Sequence, residues 1–162
     1  FWEELYRNAF PTFQGMFNHR QDGEHQRVGI DRSVILTNAK QILIDEKARF
    51  KDYGDIALEY VSDDKRNTPG WVCKPLRCDY IAYAIIPAGR AYLLPTIQLQ
   101  EAWRRNKKLW MQDRYFTIVA PNELNGRTWN TLSKGIPVKE VFKEIGACLR
   151  IQFTAPHEDL TF

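Results

Sequence analysis

Two aspartates and a lysine stand where a strand pattern brings them together. The run Ile42-Leu43-Ile44-Asp45-Glu46-Lys47-Ala48-Arg49 begins apolar and ends in charge, and Gly29-Ile30-Asp31 opens the strand-like run before it. Side chains alternate along a strand, so Asp45 and Lys47 share one face and Glu46 takes the other. If the two runs pair as a hairpin, Asp31 and Asp45 lie on neighbouring strands and converge. Carboxylate oxygens without His or Cys suit a hard divalent ion, Mg²⁺ or Mn²⁺. Such an ion lowers the pKa of its bound water and polarises a phosphoryl oxygen, while a lysine beside it positions the water and offsets developing negative charge. The chemistry that needs this set is phosphodiester hydrolysis.

The elements that must hold these residues follow from periodicity. Trp2, Leu5, Tyr6, Ala9, Phe10 and Phe13 form the apolar stripe of a short amphipathic helix that Pro11 brings to an end. Residues 14–24 are polar and read as a loop. Val28–Thr37 and Lys40–Arg49 predict a hairpin turning at Asn38-Ala39, followed by a third strand over Asp55–Ser62. Trp71-Val72 reads as a short extension. Tyr80–Pro87 and Arg90–Leu94 predict a second hairpin around Ala88-Gly89. Thr96–Gln112 switches to helical spacing, with Leu99, Ala102, Trp103, Asn106, Leu109 and Trp110 on one stripe. Strands over Tyr115–Ala120 and Thr128–Ser133, a helix over Val138–Ile145 and a strand over Ala147–Phe153 complete the pattern. Helices and strands mix without a strict repeat, so the expected fold class is α/β or α+β with a mixed sheet. One domain is expected over residues 1–153, with a C-terminal tail over 154–162.

Asp31 followed by Asp45-Glu46-Lys47 across a β-hairpin, with an amphipathic helix in front, resembles the PD-(D/E)XK nuclease superfamily over roughly residues 1–112. Ile30 stands where the family's name places proline. The resemblance implies a restriction-endonuclease-like core, a central mixed sheet flanked by helices, and Mg²⁺- or Mn²⁺-dependent cleavage of nucleic acid, DNA more than RNA. It assigns Asp31 and Asp45 to the metal and Lys47 to the catalytic lysine. Glu59 is expected on the strand running beside Lys47, facing the same pocket, and Glu3 or Glu4 on the first helix is the candidate for a further carboxylate. The small size matches phage or mobile-element members by analogy. The rival from another class is a catalytically inactive module on the same scaffold, binding nucleic acid or protein, as defence and counter-defence proteins do.

Arg104, Arg105, Lys107 and Lys108 form the densest basic cluster, and a solvated helix face is its simpler reading beside a phosphate-backbone contact. Lys74 and Arg77 are candidate backbone contacts near Trp71, whose ring suits either the core or base stacking. Gln26 and Arg27 either approach the acidic pair or cap the sheet. His19, His25 and His157 fall in loops and the tail, and their spacing predicts no metal site. Of 162 residues, 23 are basic and 20 acidic, for a net charge of +3, so any nucleic-acid partner must meet locally clustered charge. No apolar run approaches the length of a membrane span. Cys73, Cys78 and Cys148 form neither a disulfide framework nor a zinc pattern, which favours reduced thiols and a cytoplasmic setting. No basic segment leading into an apolar one opens the chain, so no secretory signal is expected; because the chain starts at Phe1, an upstream segment is allowed for. The pattern also admits a homodimer.

Overall fold

A computed structural model describes residues 1–155. The opening stripe folds as helix α1, Trp2–Ala9, with Trp2, Leu5 and Tyr6 buried. Glu3 and Glu4 in its first turn and Arg7 in its last complement the helix dipole. Phe10 is extended, as the residue before a proline prefers, and the helix stops there. The chain forms two compact units: one from Phe1–Tyr53, Leu76–Thr96 and the segment from Ala147 on, the other from Gly54–Pro75 and Ile97–Gly146.

The first unit is built on a six-stranded mixed sheet. Its strands are β1 (Phe13–Asn18), β2 (Arg32–Leu36), β3 (Gln41–Arg49), β6 (Tyr80–Ile85), β7 (Arg90–Pro95) and β10 (Leu149–Gln152), side by side in that order. All neighbours are antiparallel except β3 and β6, which run parallel. The β2–β3 hairpin pairs Arg32 with Ile44 and Val34 with Ile42, and the chain reverses between Leu36 and Lys40 through Asn38 and Ala39, the latter left-handed at φ 59°. Ile42 and Ile44 join Leu5, Tyr6, Phe10, Val34, Ala82 and Leu93 in a core beneath α1. The expected loop over 14–24 is instead strand β1 plus a one-turn helix, α2 (Gly23–Arg27), capped by Asp22, whose carboxylate accepts from the Glu24 and His25 N–H groups. Gly15 interrupts the local alternation of β1, and its strand state comes from pairing with β2.

The second unit carries an antiparallel sheet ordered β5 (Thr68–Pro69), β4 (Asp55–Asp63), β9 (Arg127–Pro137), β8 (Thr117–Leu124). With it go α4 (Val138–Ile145) and most of α3 (Thr96–Trp110). Pro121 sits in β8, an edge strand, where a missing N–H costs no ladder bond. The Trp103 ring stacks on Tyr60 at 6.1 Å and tilts against Trp110 at 6.2 Å. The predicted placement of β4 beside the Lys47 strand is corrected: β4 pairs with β9 and β5, while β3 pairs with β2 and β6. Asp55–Ser62 is a strand as its alternation predicts; which strand it meets is a long-range choice that alternation does not encode.

Among the described residues, no helix is long and apolar enough to cross a membrane.

Candidate functional site

Asp31 stands at the mouth of β2. Gly29, at φ 71°, turns the chain into the strand, and Leu76 packs so closely that a Cβ at Gly29 would meet its Cδ2 at 2.5 Å. That combination admits only glycine without strain. The Asp31 backbone N–H donates to Ile44 O at 2.8 Å, and its own carbonyl accepts from His19 N–H at 2.8 Å. Its carboxylate accepts from the Glu46 N–H at 2.7 Å through Oδ2 and from Gln26 Nε2 at 2.8 Å through Oδ1. Gln26 also reaches the carbonyls of Ile30 and His19. Asp31 is 8% exposed. Burial alone would raise its pKa, but the bonds from Gln26, the Glu46 backbone and Asp45 outweigh it and hold the group below the ordinary carboxylate range.

Asp45 lies on β3 and hydrogen-bonds the Asp31 carboxyl. It is 4% exposed. Burial pushes its pKa up to about 6; Lys47, with Nζ 2.6 Å from Oδ1, pulls the other way, and the Asp31 charge adds to the rise. Two carboxyls this close have their pKa values driven apart, Asp31 down and Asp45 up. The hairpin thus brings Asp31, Asp45 and Lys47 together, as the sequence predicted. Lys47 remains partly exposed, its side chain at 30%.

Glu46 points to the opposite face. Tyr6 Oη donates to its Oε1 at 2.7 Å, Arg32 Nε donates to the same oxygen at 3.0 Å, and Arg20 pairs with Oε2 at 2.8 Å. Burial still raises the Glu46 carboxyl, with Tyr6 and the two arginines pulling it down. The network ties α1 to β3 from behind the acidic pair and fixes the backbone N–H that Asp31 accepts.

The remaining candidates are distributed differently. Glu59 lies on β4, which pairs with β9 and β5, so its strand is not hydrogen-bonded to the Lys47 strand as expected. Glu3 pairs with Arg7 at 2.7 Å, and Glu4 accepts from the backbone and hydroxyl of Thr154, both at 2.9 Å. Trp71 is buried and presents no free stacking face. Arg104 pairs with Glu101, and Arg105 with Glu101 and Glu144, which offsets half of the basic helix face. Lys74, Arg104 and Lys107 nevertheless line one cavity of about 350 Å³ with Gln100 and Trp103, and among the described residues no carboxylate lines it. Arg77, in the first unit, lines an open pocket of about 530 Å³ with Arg27, His25, Val28, Ile30 and Leu43, together with Glu24. Leu43 alternates onto the same face of β3 as Asp45.

Sequence spacing missed one grouping. The β1–α2 turn brings His19, Asp22 and His25 together, and the two imidazoles stack at 4.2 Å and 8°. Asp22 before Gly-Glu-His was the available signal, because an aspartate at that position caps a helix start and folds the turn. His157 lies outside the described residues.

No family model matches this chain, and no characterised protein or solved structure matches it.

Proposed function

We propose that the chain is a metal-dependent nuclease of the PD-(D/E)XK type that hydrolyses phosphodiester bonds, with DNA as its substrate. The observation that carries this reading is the buried Asp31–Asp45 pair, two carboxyls in contact with Lys47 as the cation beside them. Burying acidic groups against one another costs stability unless a cation completes the site. The donor set is oxygen only, which fits Mg²⁺ or Mn²⁺. Asp31 and Asp45 would hold the ion, which when bound supplies an activated water and charge neutralisation at the phosphoryl group.

The residues of the chain do the rest. Gln26 and the Glu46 N–H orient the Asp31 carboxylate. Asp45, with a pKa near 6, gives up its proton at neutral pH. Lys47 orients the attacking water and balances charge on the pentavalent phosphorane. Arg77 and Arg27 on one unit, and Lys74, Arg104 and Lys107 on the other, provide cationic surface for backbone phosphates. The restriction-endonuclease-like core belongs to this proposal; α1 over one face of a mixed sheet, with Asp45 on β3 and Asp31 at the mouth of the neighbouring β2, supports it.

The deciding experiment incubates the protein with plasmid, linear and single-stranded DNA and with RNA, with and without Mg²⁺ or Mn²⁺. Cleavage of DNA that needs the ion and disappears in Asp45→Asn is the expected result. Binding without cleavage under every condition would hand the scaffold to the inactive-module reading.

A further inference from the structure

The geometry points to a second cation site, at His19, Asp22 and His25, that takes a borderline transition-metal ion of the Zn²⁺ class. It stands independently of the nuclease reading. Each of the three residues offers one ligand atom, and these atoms lie within 4.8 Å of one another. A tetrahedral ion with bonds of 2.0–2.2 Å holds neighbouring ligand atoms about 3.3 Å apart, so closing the site takes a contraction of at most about 1.5 Å between any two of them. The pieces that must move are the outermost ones: the His25 and Asp22 side chains are 39% and 46% exposed.

The surroundings already orient the donors. His19 Nε2 lies 2.8 Å from Ser33 Oγ; with its N–H given to that oxygen, Nδ1 keeps the lone pair. His25 Nδ1 lies 2.7 Å from Asp22 Oδ2, and because a carboxylate only accepts, the proton is on the ring. The parallel rings cannot both aim an in-plane lone pair at one ion. Turning the exposed His25 ring resolves this, exchanging its bond to Asp22 for bonds from both residues to the ion. Asp22 Oδ1 continues to cap α2 through the Glu24 and His25 N–H groups. Two imidazoles and one carboxylate select Zn²⁺, Co²⁺ or Ni²⁺ over Mg²⁺, the reverse of the Asp31–Asp45 set. The ion would fasten the end of β1 to α2, whose next residue, Gln26, holds the Asp31 carboxylate.

The test is titration of the full, untagged chain with Zn²⁺ by calorimetry and with Co²⁺ by visible absorption, in chelator-free buffer. One ion per chain is expected, with the visible bands of tetrahedral Co²⁺. His25→Ala and His19→Ala should each weaken affinity at least tenfold with far-UV circular dichroism unchanged; the milder His25→Gln serves if His19→Ala does not fold. Asp45→Asn should bind Zn²⁺ as the parent does. Zn²⁺ binding undiminished in both histidine variants, or no binding in the parent, overturns the site. Binding lost only in Asp45→Asn also overturns it, placing the ion at the carboxylate pair and leaving the nuclease reading intact.

Discussion

Lys47 and Asp45 touch, yet their substitutions should separate cleanly. Lys47→Ala should keep metal affinity and fold while lowering cleavage about two to three orders of magnitude, the loss expected on removing one electrostatic stabiliser. Asp45→Asn should lose both the ion, by calorimetry, and activity. Its metal-free stability distinguishes a functional carboxyl from a structural one. The folded pKa of Asp45 is about 6 against an ordinary 3.8, so between those values the folded state holds the extra proton. Stability of the metal-free protein should therefore fall as pH rises through that window, and Asp45→Asn should flatten the decline. Thermal melts across that range, with and without Mg²⁺, read it out. A variant clearly less stable than the parent at neutral pH would make the Lys47–Asp45 pair a structural ion pair instead.

The strand that carries these residues is secured from behind by charge as well as by apolar packing. Tyr6→Phe removes one of the two donors to Glu46 Oε1 and should cost about 1.5–3 kcal/mol, the range for losing a hydrogen bond to a charged group. Replacing Glu46 by alanine strands Arg32 and should cost about 3–5 kcal/mol. Denaturant midpoints measure both; in Tyr6→Phe, cleavage per folded molecule should persist. The β2–β3 hairpin and the D-x-K register were legible because alternation, an Asn-Ala turn and an apolar run all agreed. What was not legible were partners chosen at long range. Strand β1 takes its conformation from β2, β4 finds β9 rather than β3, and α2 exists because one aspartate caps it. The strand that carries Glu59 was legible for the same reason that its neighbours were not: alternation marks a strand without naming its partner.

Across the whole molecule, a net charge of +3 gives little general attraction to a polyanion, so binding must rest on local groups. Removing Lys74 and Lys107 together should weaken DNA binding alike for all sequences and reduce the slope of log affinity against log salt by about 1.8, since each phosphate contact contributes about 0.9. An unchanged slope would return these lysines to ordinary solvated surface.

The order in which the chain visits its sheets also constrains how it can be made. The first unit is completed only by the segment from Ala147 on, where β10 pairs with β7 and Phe153 enters the core beneath α1. During synthesis from the N-terminus, the edge of β7 stays open and that core unsealed until β10 and Phe153 have emerged. A ribosome that stops near residue 146 releases a chain with the acidic pair encoded in full and the sheet unfinished. Truncation there should yield an aggregating product, although it removes none of the groups assigned to chemistry.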